Sequence, residues 1–265
     1  MDTAGYLASI FIGIALGLIG GGGSILTVPV LVYLFNLDVV LATAYSLFVV
    51  GTTSIVGSFS FFKKRLVNIK TAIVFGIPSI ISVFLTRAYI VPAIPQEIFS
   101  IGNFTVTKSM LLMLLFAVLM ISTSYNMIKK DKELRKEIPQ KQQFNYPLIL
   151  IEGTLVGILT GLVGAGGGFL IIPALVLLSR LSMKEAVGTS LVIIAAKSLI
   201  GFFGESNAIA MDWIFLLKVT VFAIVGIFTG MALSKRINGE KLKPAFGWFV
   251  LVMGIYIVLK ETLIR

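Results

Sequence analysis

Lys197 stands in the run IIAAKSLIG, well inside the apolar stretch 184–204. A lysine at membrane depth costs about 2.5 to 3.5 kcal/mol on insertion scales, so an intramembrane cation marks a substrate or ion site by default. Its competing fate is to snorkel along its four-carbon stem to the outer interface. Two glycine runs offer the complementary chemistry. Gly20, Gly21, Gly22 and Gly23 precede Ser24 in GLIGGGGSILTVP, and Gly164, Ala165, Gly166, Gly167 and Gly168 lie in GLVGAGGGFLIIP. Each run opens directly into a short apolar segment. Free backbone N–H groups and the positive end of a helix dipole then point at one spot, an arrangement suited to an anion. Hydroxyls complete the set: Thr52, Thr53 and Ser54 in one stretch, Ser198 beside Lys197, and Ser46, Thr189 and Ser190 two turns away. One cation with several hydroxyls makes a cradle for a small oxyanion. Taken singly, each hydroxyl suits an interhelical hydrogen bond equally well.

Other residues read more simply. The small-xxx-small pairs Gly13/Gly17 and Gly157/Gly161 are expected to serve close helix packing. Pro29 and Pro173 stiffen the short segments they occupy. Arg87, near the outer end of its span, and Lys218, part way into its own, are expected to snorkel rather than form an anion funnel. Glu152, about one turn inside its segment, either titrates during transport or pairs with a loop cation. Tyr125, Asn126, Tyr146, Trp213 and Trp248 read as interface anchors.

The elements holding these groups follow from composition. The 265 residues are 57% hydrophobic and 13% charged, with a mean hydropathy of +1.03. Soluble domains carry about 25% charged residues, so a water-soluble chain is excluded. At about 20 residues per crossing of a hydrocarbon core about 30 Å thick, the chain holds about eight segments and no sizeable soluble domain. It contains no cysteine and no histidine. Disulfides, thiolate chemistry, the usual haem and zinc ligands and imidazole proton relays are therefore excluded. The net charge of +10 is dispersed over short loops, so nucleic-acid binding is not expected. Met1 to Gly5 lacks the basic region of a cleavable signal peptide, and none is expected.

Apolar segments lie at 4–19, 25–35, 39–62, 70–90, 108–128, 146–163, 169–179, 184–204, 211–233 and 243–259. Segments 25–35 and 169–179 are too short to span, and each follows a longer helix across a glycine run. Glycine interrupts helices through its backbone entropy and its access to left-handed conformations. If each broken unit dips in and returns to its own side, the cationic clusters at 63–70, 129–141, 180–184 and 235–243 all face the cytoplasm. The loops with Asp38, Glu97, Glu205 and Asp212 and both termini then lie outside. A single crossing per unit would break the positive-inside rule.

Sliding the chain on itself by 144 residues aligns 13–60 with 157–204 without a gap, with about 19 of 48 positions identical. This is duplication. The reading is an all-α, polytopic integral membrane protein. It has a first transmembrane repeat at 1–128, a charged cytoplasmic linker at 129–145 and a second repeat at 146–265. Each repeat is a glycine-broken hairpin plus three transmembrane helices, an odd number of crossings, so the copies are inverted. In secondary transporters, paired interrupted segments of this kind mark the substrate site near the midplane.

The duplicated G-x-x-x-G-L-x-G-x-G-G loop, its half-helix and proline, and the later Tyr45-Ser46 and Thr189-Ser190 pairs resemble the TauE/SafE family of sulfite and organosulfonate exporters. The resemblance implies a permease for small sulfur-containing or carboxylate anions in the cytoplasmic (inner) membrane, without selecting one. The absence of cysteine argues against thiosulfate-uptake proteins that relay substrate between cysteines. Ser24 stands opposite Gly168 and Gly21 opposite Ala165, so the two loops need not contribute equally.

The expected function is secondary transport of a small anion by alternating access, with no enzymatic activity, no cofactor and no metal. The expected partners are the anion, the bilayer and a proton or sodium coupling ion. A passive anion channel and a membrane scaffold or assembly factor are the alternatives.

Overall fold

Side-chain caps set the start of each long helix that bears the polar groups. Asp38 accepts a 2.8 Å hydrogen bond from the Val40 amide at the start of α3 (Val39–Lys63). Ser182, the residue 144 positions later, caps α9 (Met183–Phe203) in a reciprocal capping box with Glu185. Asn68 accepts from the Thr71 amide at 3.0 Å and starts α4 (Ile69–Leu85).

The computed structural model describes residues 2–21, 23–101, 104–128, 146–164, 166–177, 181–204, 211–233 and 239–263. The linker 129–145 and the residues Gly22, Ala165 and Glu205 lie outside them. The remaining elements are α1 (Asp2–Ile19), α2 (Ser24–Tyr33), α5 (Val91–Ala93), α6 (Lys108–Ile128), α7 (Tyr146–Val163), α8 (Gly168–Leu177), α10 (Trp213–Leu233) and α11 (Gly239–Leu263). A π-helical turn, Thr86–Ile90, joins α4 to α5. Strands β1 (Glu97–Ile101) and β2 (Phe104–Thr107) pair antiparallel before α6, a short addition to a chain whose other elements are helical, in keeping with the all-α reading. The composition of this stretch supports the strands, because Ile98, Phe99, Ile101, Phe104, Thr105, Val106 and Thr107 are β-branched or aromatic.

Five helices among the described residues are long and apolar enough to cross a membrane, whereas α1, α2 and α7 contain shorter apolar stretches. Large apolar side chains such as Phe11, Ile77, Ile214 and Val252 point outward. A soluble fold would hide them, but here they form the surface that meets lipid. Lys218 is exposed on α10.

The first broken unit folds back on itself. Phe35, just beyond α2, lies against Gly5 and stacks edge-on to Tyr6 with ring centroids 5.5 Å apart. The half-helix α2 thus returns to the end where α1 begins. Helix α3 runs antiparallel to α9, with Gly51 against Leu199, Phe48 against Phe202 and Phe61 against Gly188. At one end the Asn68 amide donates to Thr189 Oγ1 at 2.9 Å, placing the cations at 63–70 beside the start of α9. At the other end the Asp212 amide donates to Tyr45 Oη at 2.6 Å, and Tyr33 donates to Glu261 Oε1 at 3.2 Å. These contacts mark the two opposite ends of the α3–α9 pair.

Contacts repeat under the 144-residue shift. Helix α1 packs on α10 as α7 packs on α4, while α3 meets α9 and α6 meets α11. Individual residues obey the same exchange. Gly57 faces Leu191 and Ile227, and Gly201 faces Leu47 and Val83; Gly20 faces Val187, and Gly164 faces Thr43. The packing expected of the glycine pairs is present: Gly13 and Gly17 abut the Ala223 and Ile227 carbonyls, and Gly157 abuts that of Ser79.

Candidate functional site

The two glycine loops meet inside the bundle, where Gly21 and Gly168 touch backbone to backbone. Loop geometry requires glycine at a few of these positions. Gly20, Gly164, Gly166 and Gly167 have φ of 76°, 71°, 64° and 72°, in the left-handed region that side chains disfavour. Gly23 caps α2 without a side-chain hydrogen bond. Ser24 Oγ donates to the Gly21 carbonyl at 2.7 Å, tightening that turn.

The loops differ in what surrounds them. Gly167 is covered by Thr160 and by Lys197, whose Nζ would lie 2.7 Å from a methyl group placed there. Lys197 is fully buried and does not snorkel. Its Nζ donates to Thr160 Oγ1 at 2.9 Å, while that hydroxyl donates to the Val156 carbonyl at 2.7 Å. At Gly166 the neighbours are Val50, Ile194 and Ser198 Oγ. Ser198 is fully buried, and its hydroxyl has no hydrogen-bond partner among the described residues.

Gly164 makes room for a second cation. Arg87 was expected to snorkel, but it is fully buried; its Nη1 donates to Thr43 Oγ1 at 2.9 Å, and its Nη2 would lie 2.5 Å from a methyl at Gly164. The π-helical turn Thr86–Ile90 contains Arg87 and admits one extra residue per turn. Such a turn re-aims a side chain that the α-helical register alone would direct elsewhere. Two cations therefore flank the second loop, one at each end.

Among the described residues, no cation stands at the equivalent positions of the first loop. Gly23 lies on Leu16 and the Ile12 carbonyl, where Gly167 has Thr160. Thr53, equivalent to Lys197, donates to the Val49 carbonyl of its own helix. Gly20 lies against Val187, where Gly164 has Thr43 and Arg87. Among the described residues, the fully buried cations Lys197 and Arg87 both lie at the second loop.

The remaining candidates are dispersed. Ser54 is buried with an unpartnered hydroxyl among the described residues, and Thr52 is half-buried. Ser190 donates to the Val187 carbonyl at 2.9 Å. Thr189 is engaged by the Asn68 amide at the cationic end, two turns from Lys197. Gly22 and Ala165 lie outside the described residues. Sequence reasoning passed over Thr43, Thr160 and the burial of Arg87. A readable signal existed for Thr160, because it is a hydroxyl standing where the first copy has Leu16.

The model of the family described as Sulfite exporter TauE/SafE matches residues 6–257. A "Probable membrane transporter protein" of Xylella fastidiosa (strain 9a5c) is 29% identical over 261 residues, covering 93% of this chain and 91% of that protein. The "Probable membrane transporter protein MJ0441" of Methanocaldococcus jannaschii is 27% identical over 267 residues, covering 96% and 94%. The "Probable membrane transporter protein YdhB" of Bacillus subtilis (strain 168) is 26% identical over 239 residues, covering 90% and 93%. No solved structure matches the chain.

Proposed function

The chain belongs to the TauE/SafE sulfite exporter family and is a multi-pass membrane transporter, and we propose that it carries a small anion by alternating access. The cargo is sulfite, an organosulfonate or a related sulfur-containing or carboxylate anion. The membrane is the cytoplasmic (inner) one. The observation that carries this reading is the fully buried Lys197 beside Gly167 of the second glycine loop, with Arg87 at Gly164 of the same loop. A buried cation is costly to leave uncompensated, and the natural complement of Lys197 is a charge supplied by the cargo. Ser198 and the backbone N–H groups of the loop add neutral donors.

In this reading the cargo binds mainly to the second loop and α8, with Gly20, Gly21, Gly22, Gly23 and Ser24 closing it from the first copy. The repeats are 1–128 and 146–265, joined by the cytoplasmic linker 129–145. Their inversion is supported by the antiparallel course of the equivalent helices α3 and α9. Rocking of one bundle against the other exposes the loop to each side in turn.

The test is thermal stabilisation of the purified protein against sulfite, sulfate, sulfoacetate, taurine and short carboxylates. A ligand that binds only the folded state raises the apparent melting temperature. A shift with one anion that is lost in Lys197→Ala supports the site. No shift with any anion overturns it. Flux that saturates and follows a counter-ion gradient separates a transporter from a passive channel.

A further inference from the structure

Thr71, Phe75, Ser79, Ser82 and Thr86 fall at helical spacing on one face of α4, and all are buried. This face packs on the glycine face of α7. Methyl groups at Gly153 and Gly157 would lie 2.7 Å and 2.6 Å from the carbonyl oxygens of Phe75 and Ser79, and one at Gly161 would lie 2.8 Å from Thr86 Cβ. Thr86 Oγ1 itself points at α7, 3.4 Å from that last position.

The hydroxyls of this seam behave unlike most others in the protein. A buried helical serine or threonine ordinarily donates to the carbonyl three or four residues back. Ser9, Thr27, Thr53, Thr123, Thr160 and Thr220 do so. Thr71, Ser79 and Thr86 are fully buried, yet their hydroxyls have no hydrogen-bond partner among the described residues. Buried polar groups are nearly always partnered, so three orphans along one face point to a partner supplied in another state. The equivalent seam between α1 and α10 is apolar at the corresponding places, with Phe215, Ala223 and Gly230 standing for Thr71, Ser79 and Thr86.

We propose that the α4–α7 seam is the route by which the anion passes between the second glycine loop and the cationic end of the bundle, with Thr71, Ser79 and Thr86 solvating it when α7 draws away from α4. The proposal deepens the anion-transport reading and rests on it. Fifteen residues separate Thr71 from Thr86, about 22 Å along the helix. The route therefore begins beside Lys70 and ends beside Arg87, one turn of α7 before Gly164. Opening here hydrates hydroxyls, whereas opening α1 from α10 would hydrate apolar side chains. The same physics that leaves the hydroxyls orphaned when closed favours this seam over its mate as the one that opens.

The absence of cysteine makes the test direct. Ser79→Cys and its counterpart Ala223→Cys are placed in inside-out membrane vesicles without substrate, and reacted with membrane-impermeant methanethiosulfonates of negative and positive charge. The expected result is labelling of Ser79→Cys from the cytoplasmic face at least tenfold faster than Ala223→Cys, with the negative reagent faster than the positive. Thr86→Cys provides the same readout should Ser79→Cys fail to elute as a folded species. No labelling of either folded seam variant, labelling confined to the outer face, equal labelling of Ala223→Cys, or equal rates with both reagents overturns the proposal. Failure of the route and failure of the anion reading are distinguishable. An unlabelled seam with a persisting anion-induced thermal shift removes only the route, and a cytoplasmically labelled seam without any anion shift removes the cargo.

Discussion

Lys197 Nζ donates a 2.9 Å hydrogen bond to Thr160 Oγ1 in a space from which both side chains exclude solvent. That bond fixes the ammonium beside Gly167, and several consequences follow from it.

Removing the cation should remove the anion. A hydrogen bond to a charged group contributes about 1.5 to 3 kcal/mol, roughly a ten- to 150-fold change in affinity. Lys197→Ala is expected to weaken anion binding by at least that factor, read by thermal shift or isothermal titration. Affinity within threefold of wild type would exclude Lys197 from the site.

Arg87 should not tolerate lysine. Its guanidinium holds Thr43 with one nitrogen while another lies at Gly164, and a lysine carries a single nitrogen on a differently shaped stem. Arg87→Lys is expected to lower saturating uptake and affinity by tenfold or more although the charge is retained. Unchanged transport in Arg87→Lys would reduce Arg87 to a generic buried charge.

Glycine matters at Gly167 and not at Gly76. Alanine at Gly167 enters a left-handed conformation costing about 1 to 2 kcal/mol and meets Thr160 and Lys197. The apparent melting temperature should fall by about 2 to 8 °C. At Gly76, inside α4, a methyl meets only Ile193 at 3.7 Å, and alanine favours helix, so the melting temperature should hold or rise. Equal losses at both positions would show that the loop conformation is unimportant.

The asymmetry between the copies predicts a quiet mutation. Thr53 is the repeat counterpart of Lys197, but its hydroxyl is used within its own helix. Thr53→Ala should leave anion affinity within about threefold of wild type, since back-bonded hydroxyls contribute little beyond their own turn. A loss matching that of Lys197→Ala would mean that both copies bind cargo alike.

The sequence by itself determined the solvent, the duplication and the break points. Apolar runs of bilayer length admit no other environment, a gapless match of 48 residues at an offset of 144 records a repeat, and glycine clusters interrupt helices wherever they fall. Lys197 was legible for the same reason, because a cation in an apolar run stands out without knowledge of its neighbours. The hairpin 97–107 was missed because it is short and lies between helices whose hydropathy dominates the pattern. Arg87 was misjudged because distance along the helix to the nearest end said snorkel, and only the π turn and the space left by Gly164 direct it inward. Which loop holds the fully buried cations was likewise decided in three dimensions. The motifs are nearly alike, and the difference includes Thr43 and Arg87, which packing brings from α3 and the π-helical turn to Gly164. A repeat in sequence dictates equivalent backbones, whereas chemistry depends on the side chains that packing carries to them.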